Sequence, residues 1–223
     1  MADEDGMVAS PQRIVAVLLD RYGETYAHAL SIDFTNPTAA ALFQWLCASL
    51  LFGARIRAEA ALRAAKALFE HGLTTADAMV AASWEERTRI LNRSGYARYD
   101  ESTSRMLGET AQRLIDRYRG DLWVLRDVAG RDPTEERRLL KEFKGIGEVS
   151  TDIFMREVQL AWEELYPFAD RRSLRAGARL GLGDGAKALA PLVDRSAFPR
   201  LIAALVRVDL GKHAEEVLTE AAT

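Results

Sequence analysis

A single cysteine among 223 residues, Cys47, leaves this chain without an internal disulfide framework, an all-cysteine zinc site or a four-thiolate iron–sulfur cluster of its own. That usage fits a reduced, intracellular protein. No apolar run is long enough to span a bilayer: the richest, Ala39 to Phe52, is broken by Gln44 and Ser49 and falls short of the roughly 18 residues required. The acidic stretch Met1 to Ser10 lacks the basic and then apolar segments of a secretory leader, so residues 1–10 are expected to form a loose tail. A surplus of positive charge is also missing. With 30 Lys and Arg against 33 Asp and Glu the net charge is −3, which argues against coating nucleic acid or membrane by bulk charge and requires a local patch for any anionic partner. Low-complexity tracts, fixed-period repeats and alternating β-branched runs are absent as well.

What fills the chain is apolar residues at helical spacing. Ile14, Val17, Leu18 and Tyr22 form one stripe; Leu42, Trp45, Leu46, Ser49 and Leu50 form another behind Asn36-Pro37. Helices are predicted over 57–69, over 75–82, from the capping box Ser83-Trp84-Glu85-Glu86 to about Arg93, and over 101–119. More follow over 133–143, 149–162, 173–182 and 198–210. The expected class is all-α, one compact chain of about ten helices. Phe43 and Trp45 sit at core spacing. Gly181 to Lys187 has neither the preceding strand nor the following Ser or Thr of a phosphate loop, and reads as a helix stop and turn. His28, His71 and His213 lack the i, i+4 spacing of a zinc helix and read as surface or capping residues.

One turn carries more information. Leu140 to Thr151 joins two helical patterns through Gly145-Ile146-Gly147. Two glycines permit a tight bend and a close backbone approach, and the amides opening the second helix can receive an anion such as a DNA phosphate. An ordinary αα-hairpin would use the same glycines. After one more helix comes Tyr166-Pro167-Phe168-Ala169-Asp170, in which an acid opens a new helix; on its own, Asp170 is equally an ordinary N-cap.

Together these features resemble the helix-hairpin-helix DNA glycosylases of the endonuclease III superfamily, the HhH-GPD fold. Their signature is an L/F-x-G-[IV]-G hairpin, one helix, and a Gly/Pro-rich loop delivering an Asp; here these are Phe143-Lys144-Gly145-Ile146-Gly147, Pro167 and Asp170. Upstream, Phe34-Thr35-Asn36-Pro37 looks like the family's Phe-x-x-Pro helix entry, and Ser94 to Tyr99 looks like its Gly-[LFY]-Tyr turn. The motifs stand in family order across roughly residues 30–210. The resemblance implies a two-lobed helical fold, with a six-helix lobe over 32–143, a second lobe from 11–31 plus 144–223, and a cleft between them.

It further implies base-excision chemistry on double-stranded DNA carrying a damaged base or abasic site, with Asp170 as the catalytic acid acting on a flipped base. Lys144, Gly145, Gly147, Val149 and Ser150 would contact the backbone, flanked by Arg171, Arg172 and Arg175, where Arg171, Arg175 and Arg179 share one helical face. Bifunctional relatives carry a lyase Lys two positions after the second hairpin Gly. Val149 stands there, so a monofunctional glycosylase is expected, with no lyase activity. Glu148 replaces a frequently basic residue. In place of the family's Gln-bearing wedge loop stands Leu51 to Arg57, where Phe52, Arg55 or Ile56 could fill the space left by a flipped base, although Phe52 could equally be core. The C-terminus has no Cys-rich loop, so no iron–sulfur cluster is expected; a monovalent cation at the hairpin carbonyls is the one cofactor the family suggests. The expected protein is a cytoplasmic monomer, nucleoid-associated in a bacterium. Two alternatives stay open: a DNA-binding or damage-sensing protein with weak or lost catalysis, and an abasic-site lyase using another amine such as Lys144.

Overall fold

The computed structural model describes residues 9–223; residues 1–8 of the expected tail lie outside them. Ser10, at the end of that stretch, accepts a hydrogen bond from the Arg13 amide and caps the first helix. All regular structure among the described residues is helical, as the periodicity predicts. The α-helices are α1 (Pro11–Tyr22), α2 (Tyr26–Ala29), α3 (Ala39–Phe52), α4 (Ala58–Glu70), α5 (Ala76–Ala81), α6 (Trp84–Arg93) and α7 (Asp100–Tyr118). They continue with α8 (Leu122–Val128), α9 (Pro133–Leu140), α10 (Glu148–Val158), α11 (Arg171–Arg179), α12 (Ala186–Leu189), α13 (Phe198–Gly211) and α14 (Ala214–Ala222). No described helix is long and apolar enough to cross a membrane.

The described residues form two compact units, one of Tyr26–Leu165 and one of residues 9–25 together with Tyr166–Thr223. In the larger unit α3 is the central helix. Thr38 caps it by accepting from the Ala41 amide at 3.1 Å, and from Leu42 to Leu51 almost every residue is buried, so it has no polar face. The Trp45 indole N–H donates to the Phe154 carbonyl at 3.0 Å and pins α10 to α3. The expected division at 143/144 set residues 144–165 with the C-terminal helices. Contacts place them instead with 26–143, because α10 docks on α3.

Polar groups hold this unit as well. Arg87 is buried on α6 and donates to the carbonyls of Met79, Ala82 and Ser104 at 2.8, 2.5 and 3.0 Å, which ties the end of α5 to α7. Gly108 leaves room for it: a Cβ there would stand 2.7 Å from the guanidinium.

Glu136, on α9, is fully buried, and neither carboxyl oxygen finds an N–H or O–H donor. Beside it the Arg126 guanidinium grips Glu164 through two bonds of 2.5 Å. Burial, together with the neighbouring Glu164 carboxyl, pushes Glu136 well above the usual carboxylate range. Glu164 is held low by hydrogen bonds from Arg126 and Glu136 that outweigh its own desolvation. The proton therefore stays on Glu136, which donates to Glu164. The native state binds this proton more tightly than the unfolded chain, so Glu136 costs stability as pH rises above the ordinary Glu pKa of about 4.3. Glu136→Gln keeps a donor without the charge. It should raise the thermal midpoint measured by circular dichroism, and the gain should be larger at pH 8 than at pH 5.5.

In the smaller unit Ile14, Leu18, Leu201, Leu205 and Val208 form the core, with Leu218 packed against it. Arg200 and Arg207 from α13 satisfy the carbonyls after α1: Arg200 reaches Gly23 at 3.1 Å, and Arg207 reaches Tyr22 at 2.8 Å and also Glu24.

Candidate functional site

The hairpin is α9, a turn over 141–147, and α10. Gly145 adopts φ +84°, a left-handed conformation that favours glycine, and a Cβ there would lie 2.8 Å from Met106 Sδ and 3.2 Å from Leu50. Ile146 is buried and anchors the turn, leaving Lys144, Gly145 and Gly147 exposed. Gly147 begins α10 without offering a side-chain acceptor to its first amides, whereas α3, α6, α9 and α11 are capped by Thr38, Ser83, Asp132 and Asp170. Its open N–H groups and dipole make this end of α10 suited to an anion.

Val149 is 58% exposed, an apolar side chain left in solvent on that first turn. Ser150 is different. It is 3% exposed, with its Oγ 3.5 Å from the Gly145 carbonyl, and it packs against Gly53, where any Cβ would collide with that hydroxyl. The loop after α3 is therefore held directly against the hairpin. Within that loop Arg55 is exposed and Ile56 half-buried, while at the end of α3 the half-buried Phe52 ring is tilted against Tyr26 at 4.5 Å and lies 6.5 Å from Trp45.

Charge around the hairpin is largely paired. Glu148 takes Lys141 at 2.5 Å and Arg137 at 2.6 Å, and Arg137 also reaches Asp152. These cations hold Glu148 below the usual carboxylate range. Lys144 makes no ion pair among the described residues. The turn carbonyls are occupied too: Phe143 accepts from the Ile146 amide at 3.1 Å and Lys144 from the Thr110 hydroxyl at 3.0 Å. A monovalent cation would have to share these oxygens.

Asp170 belongs to the other unit. It follows a cis Tyr166–Pro167 bond and opens α11, where Oδ1 accepts from the amides of Arg172 at 2.8 Å and Ser173 at 3.3 Å. The Ser173 hydroxyl donates back to the Asp170 carbonyl at 2.8 Å. Asp170 as a residue is 5% exposed. Of the three arginines expected to flank it, Arg171 is exposed and makes no ion pair among the described residues. Arg175 grips Asp209 through bonds of 2.8 and 2.6 Å, and Arg172 reaches the same carboxylate at 3.4 Å. Asp209 was not foreseen. A signal was present, since an acid in the last turn of α13 opposes the helix dipole and calls for a cationic partner.

No protein-family profile matches the chain, and no curated protein matches it. Among solved structures it is similar to a non-covalent endonuclease III–DNA complex, at 19% identity and a TM-score of 0.54 over 87% of this chain and 80% of that one. It shares its fold with endonuclease III. A trapped endonuclease III–DNA covalent intermediate, the estranged-adenine complex, is similar over 73% of this chain and 71% of that one, at 20% identity and a TM-score of 0.47. Within this endonuclease III-like fold, Gly145-Ile146-Gly147 joins two helices, and Asp170 opens the next α-helix in the chain.

Proposed function

We propose that this protein is a monofunctional DNA glycosylase of the base-excision type, acting on double-stranded DNA that carries a damaged base. The observation that carries the reading is the buried Asp170 carboxylate, one oxygen of which is committed to the N-cap of α11. A base flipped from the duplex is cut from its sugar as the C1′–N bond breaks and the bonding electrons leave with the base. Asp170 stabilises the oxocarbenium-like sugar and takes a proton from the water that attacks C1′. Backbone phosphate is received by the first amides of α10, beside Lys144, which makes no ion pair among the described residues. Val149 supplies no amine where bifunctional relatives carry their Lys, which supports hydrolysis without a Schiff base.

A second reading is a damage-sensing protein that binds DNA and catalyses poorly. The pairing of Lys141 and Arg137 with Glu148, and of Arg172 and Arg175 with Asp209, favours it, because it withdraws four cations from phosphate. One experiment separates the readings. Duplexes each bearing a different damaged base are incubated with the protein and treated with alkali. Strand breaks at one lesion support the glycosylase; binding without breaks at any lesion supports the sensor. Borohydride trapping on an abasic duplex should yield no covalent adduct, and an adduct would point to an amine such as Lys144.

Glu148→Gln should tighten duplex binding by roughly three- to tenfold at low salt, since it releases Lys141 and removes a negative charge beside the phosphate-receiving amides. Fluorescence anisotropy with a labelled duplex reads the change, which should shrink as salt rises.

A further inference from the structure

We propose that Asp209 is a positioning residue for Asp170, acting through Arg175 and Arg172; the proposal rests on the glycosylase reading above. Asp209 lies on α13 with its side chain only 4% exposed, and so it must be paired. Both of its oxygens are used. Arg175 Nε donates to Oδ1 at 2.8 Å, Arg175 Nη2 to Oδ2 at 2.6 Å, and Arg172 Nη1 to Oδ2 at 3.4 Å. A two-pronged guanidinium–carboxylate contact fixes distance and orientation together, unlike a single point of attachment.

The helix so held is the one that Asp170 begins. Arg172 supplies both ends of a short link: its side chain reaches Asp209, and its backbone N–H donates to Asp170 Oδ1 at 2.8 Å. Arg175 sits one turn further along α11, so the clamp bears on the turn whose amides orient the acid. Opposite the clamp, α11 packs tightly: a Cβ on Gly177 would stand 2.9 Å from the Gly183 carbonyl and 3.2 Å from Leu189. The helix is thus held from both sides, by packing near Gly177 and by charge at Asp209.

The pairing also shows in the protonation of both partners. The hydrogen bonds from Arg175, and secondarily from Arg172, outweigh burial and hold the Asp209 carboxyl below the usual range. Arg175 is correspondingly raised, first by its hydrogen bond to Asp209, with the Asp170 carboxylate contributing to the same field. Arg175 is therefore charged and engaged at any working pH, and the clamp holds without a titrating component. Asp209 contributes geometry; it touches no reacting atom.

The test uses the full chain and three variants: Asp209→Asn, Arg175→Lys and the double substitution. Asn has the shape of Asp but cannot hold a guanidinium as an ion pair, and Lys keeps the charge of Arg without the fork. With the lesion found in the alkali assay, single-turnover base release should fall about 100-fold in each single variant, as for small misplacements of a catalytic group. The double variant should be no slower than either single, because both break one contact. Release within about twofold of wild type in Asp209→Asn overturns the proposal. A fall in the double variant equal to the product of the singles overturns it as well.

A second measurement needs no activity. Amide hydrogen exchange at Arg172 and Ser173, the two N–H groups on the Asp170 carboxylate, should accelerate about tenfold or more in Asp209→Asn. Exchange at Leu18, in the core of the same unit, should stay unchanged. If the Arg172 and Ser173 amides keep their protection, or if Leu18 accelerates equally, Asp209 serves the general stability of the unit and not Asp170. Should wild type release no base from any lesion, the glycosylase reading fails, and the exchange experiment still decides whether Asp209 holds the Asp170 turn.

Discussion

Asp170→Asn is expected to lower single-turnover base release about a thousandfold, the size of loss typical when a positioned proton acceptor is removed. The fold should be preserved, for a local reason. Asp170 Oδ1 accepts from the amides of Arg172 and Ser173 and so caps α11, and Asn caps helices about as well as Asp. The thermal midpoint should stay close to that of wild type, and binding to undamaged duplex should be retained. The variant therefore separates the two roles the residue carries, keeping the cap and removing the carboxylate. Equal rates in variant and wild type, on a lesion that wild type processes, would move the chemistry to another residue.

Gly145→Ala should have the second-largest effect, and it should appear in stability and binding together. At φ +84° an alanine is strained, by about 1 kcal/mol. Its Cβ would also press within 2.8 Å of Met106 Sδ and 3.2 Å of Leu50, which adds about 1 kcal/mol once those side chains shift. The summed loss of about 2 kcal/mol should be visible in the urea midpoint. If the turn receives phosphate, its displacement should also weaken duplex binding by about tenfold under conditions where the variant is fully folded. Gly147→Ala is the comparison. Gly147 has extended backbone angles and nothing within 4 Å of a new Cβ, so it should fold normally and report on phosphate approach alone.

The long amphipathic helices could be read from sequence because their apolar residues recur at a single period over three or more turns, as in α4 and α7. Shorter ones escaped. In α8 only Leu122 and Leu125 are buried, and in α14 only Val217 and Ala221, too few to establish a period. The predicted helix over 149–162 was extended too far by Trp162. It lies four residues beyond Val158 and is fully buried, so it continues the apolar pattern although the α-helix has already ended at Val158.

The site divides along the same line. Turn geometry is local, so Gly145, Gly147 and the N-cap at Asp170 follow from adjacent residues. Which face of a helix meets which neighbour is not local. Ser150, expected at the backbone of DNA, points inward because α3 ends at Gly53 beneath it. Arg172 and Arg175 read as a basic patch until α13 brings them Asp209, 34 residues beyond Arg175. Glu136 and Arg87 lie in charged helices, and nothing adjacent in sequence shows that both are buried, one kept neutral by a proton and the other saturated by carbonyls.

The tied carbonyls of the hairpin turn have a kinetic meaning. Phe143, Lys144 and Gly145 accept from Ile146, Thr110 and Ser150, and Gly147 accepts both the amide and the hydroxyl of Thr151 at 2.9 Å. A loop fastened at so many points has little freedom left to surrender when a ligand arrives. Its capture of a phosphate group should follow the collision rate and respond to ionic strength as a preformed surface does, with no slow phase from rearrangement of the turn.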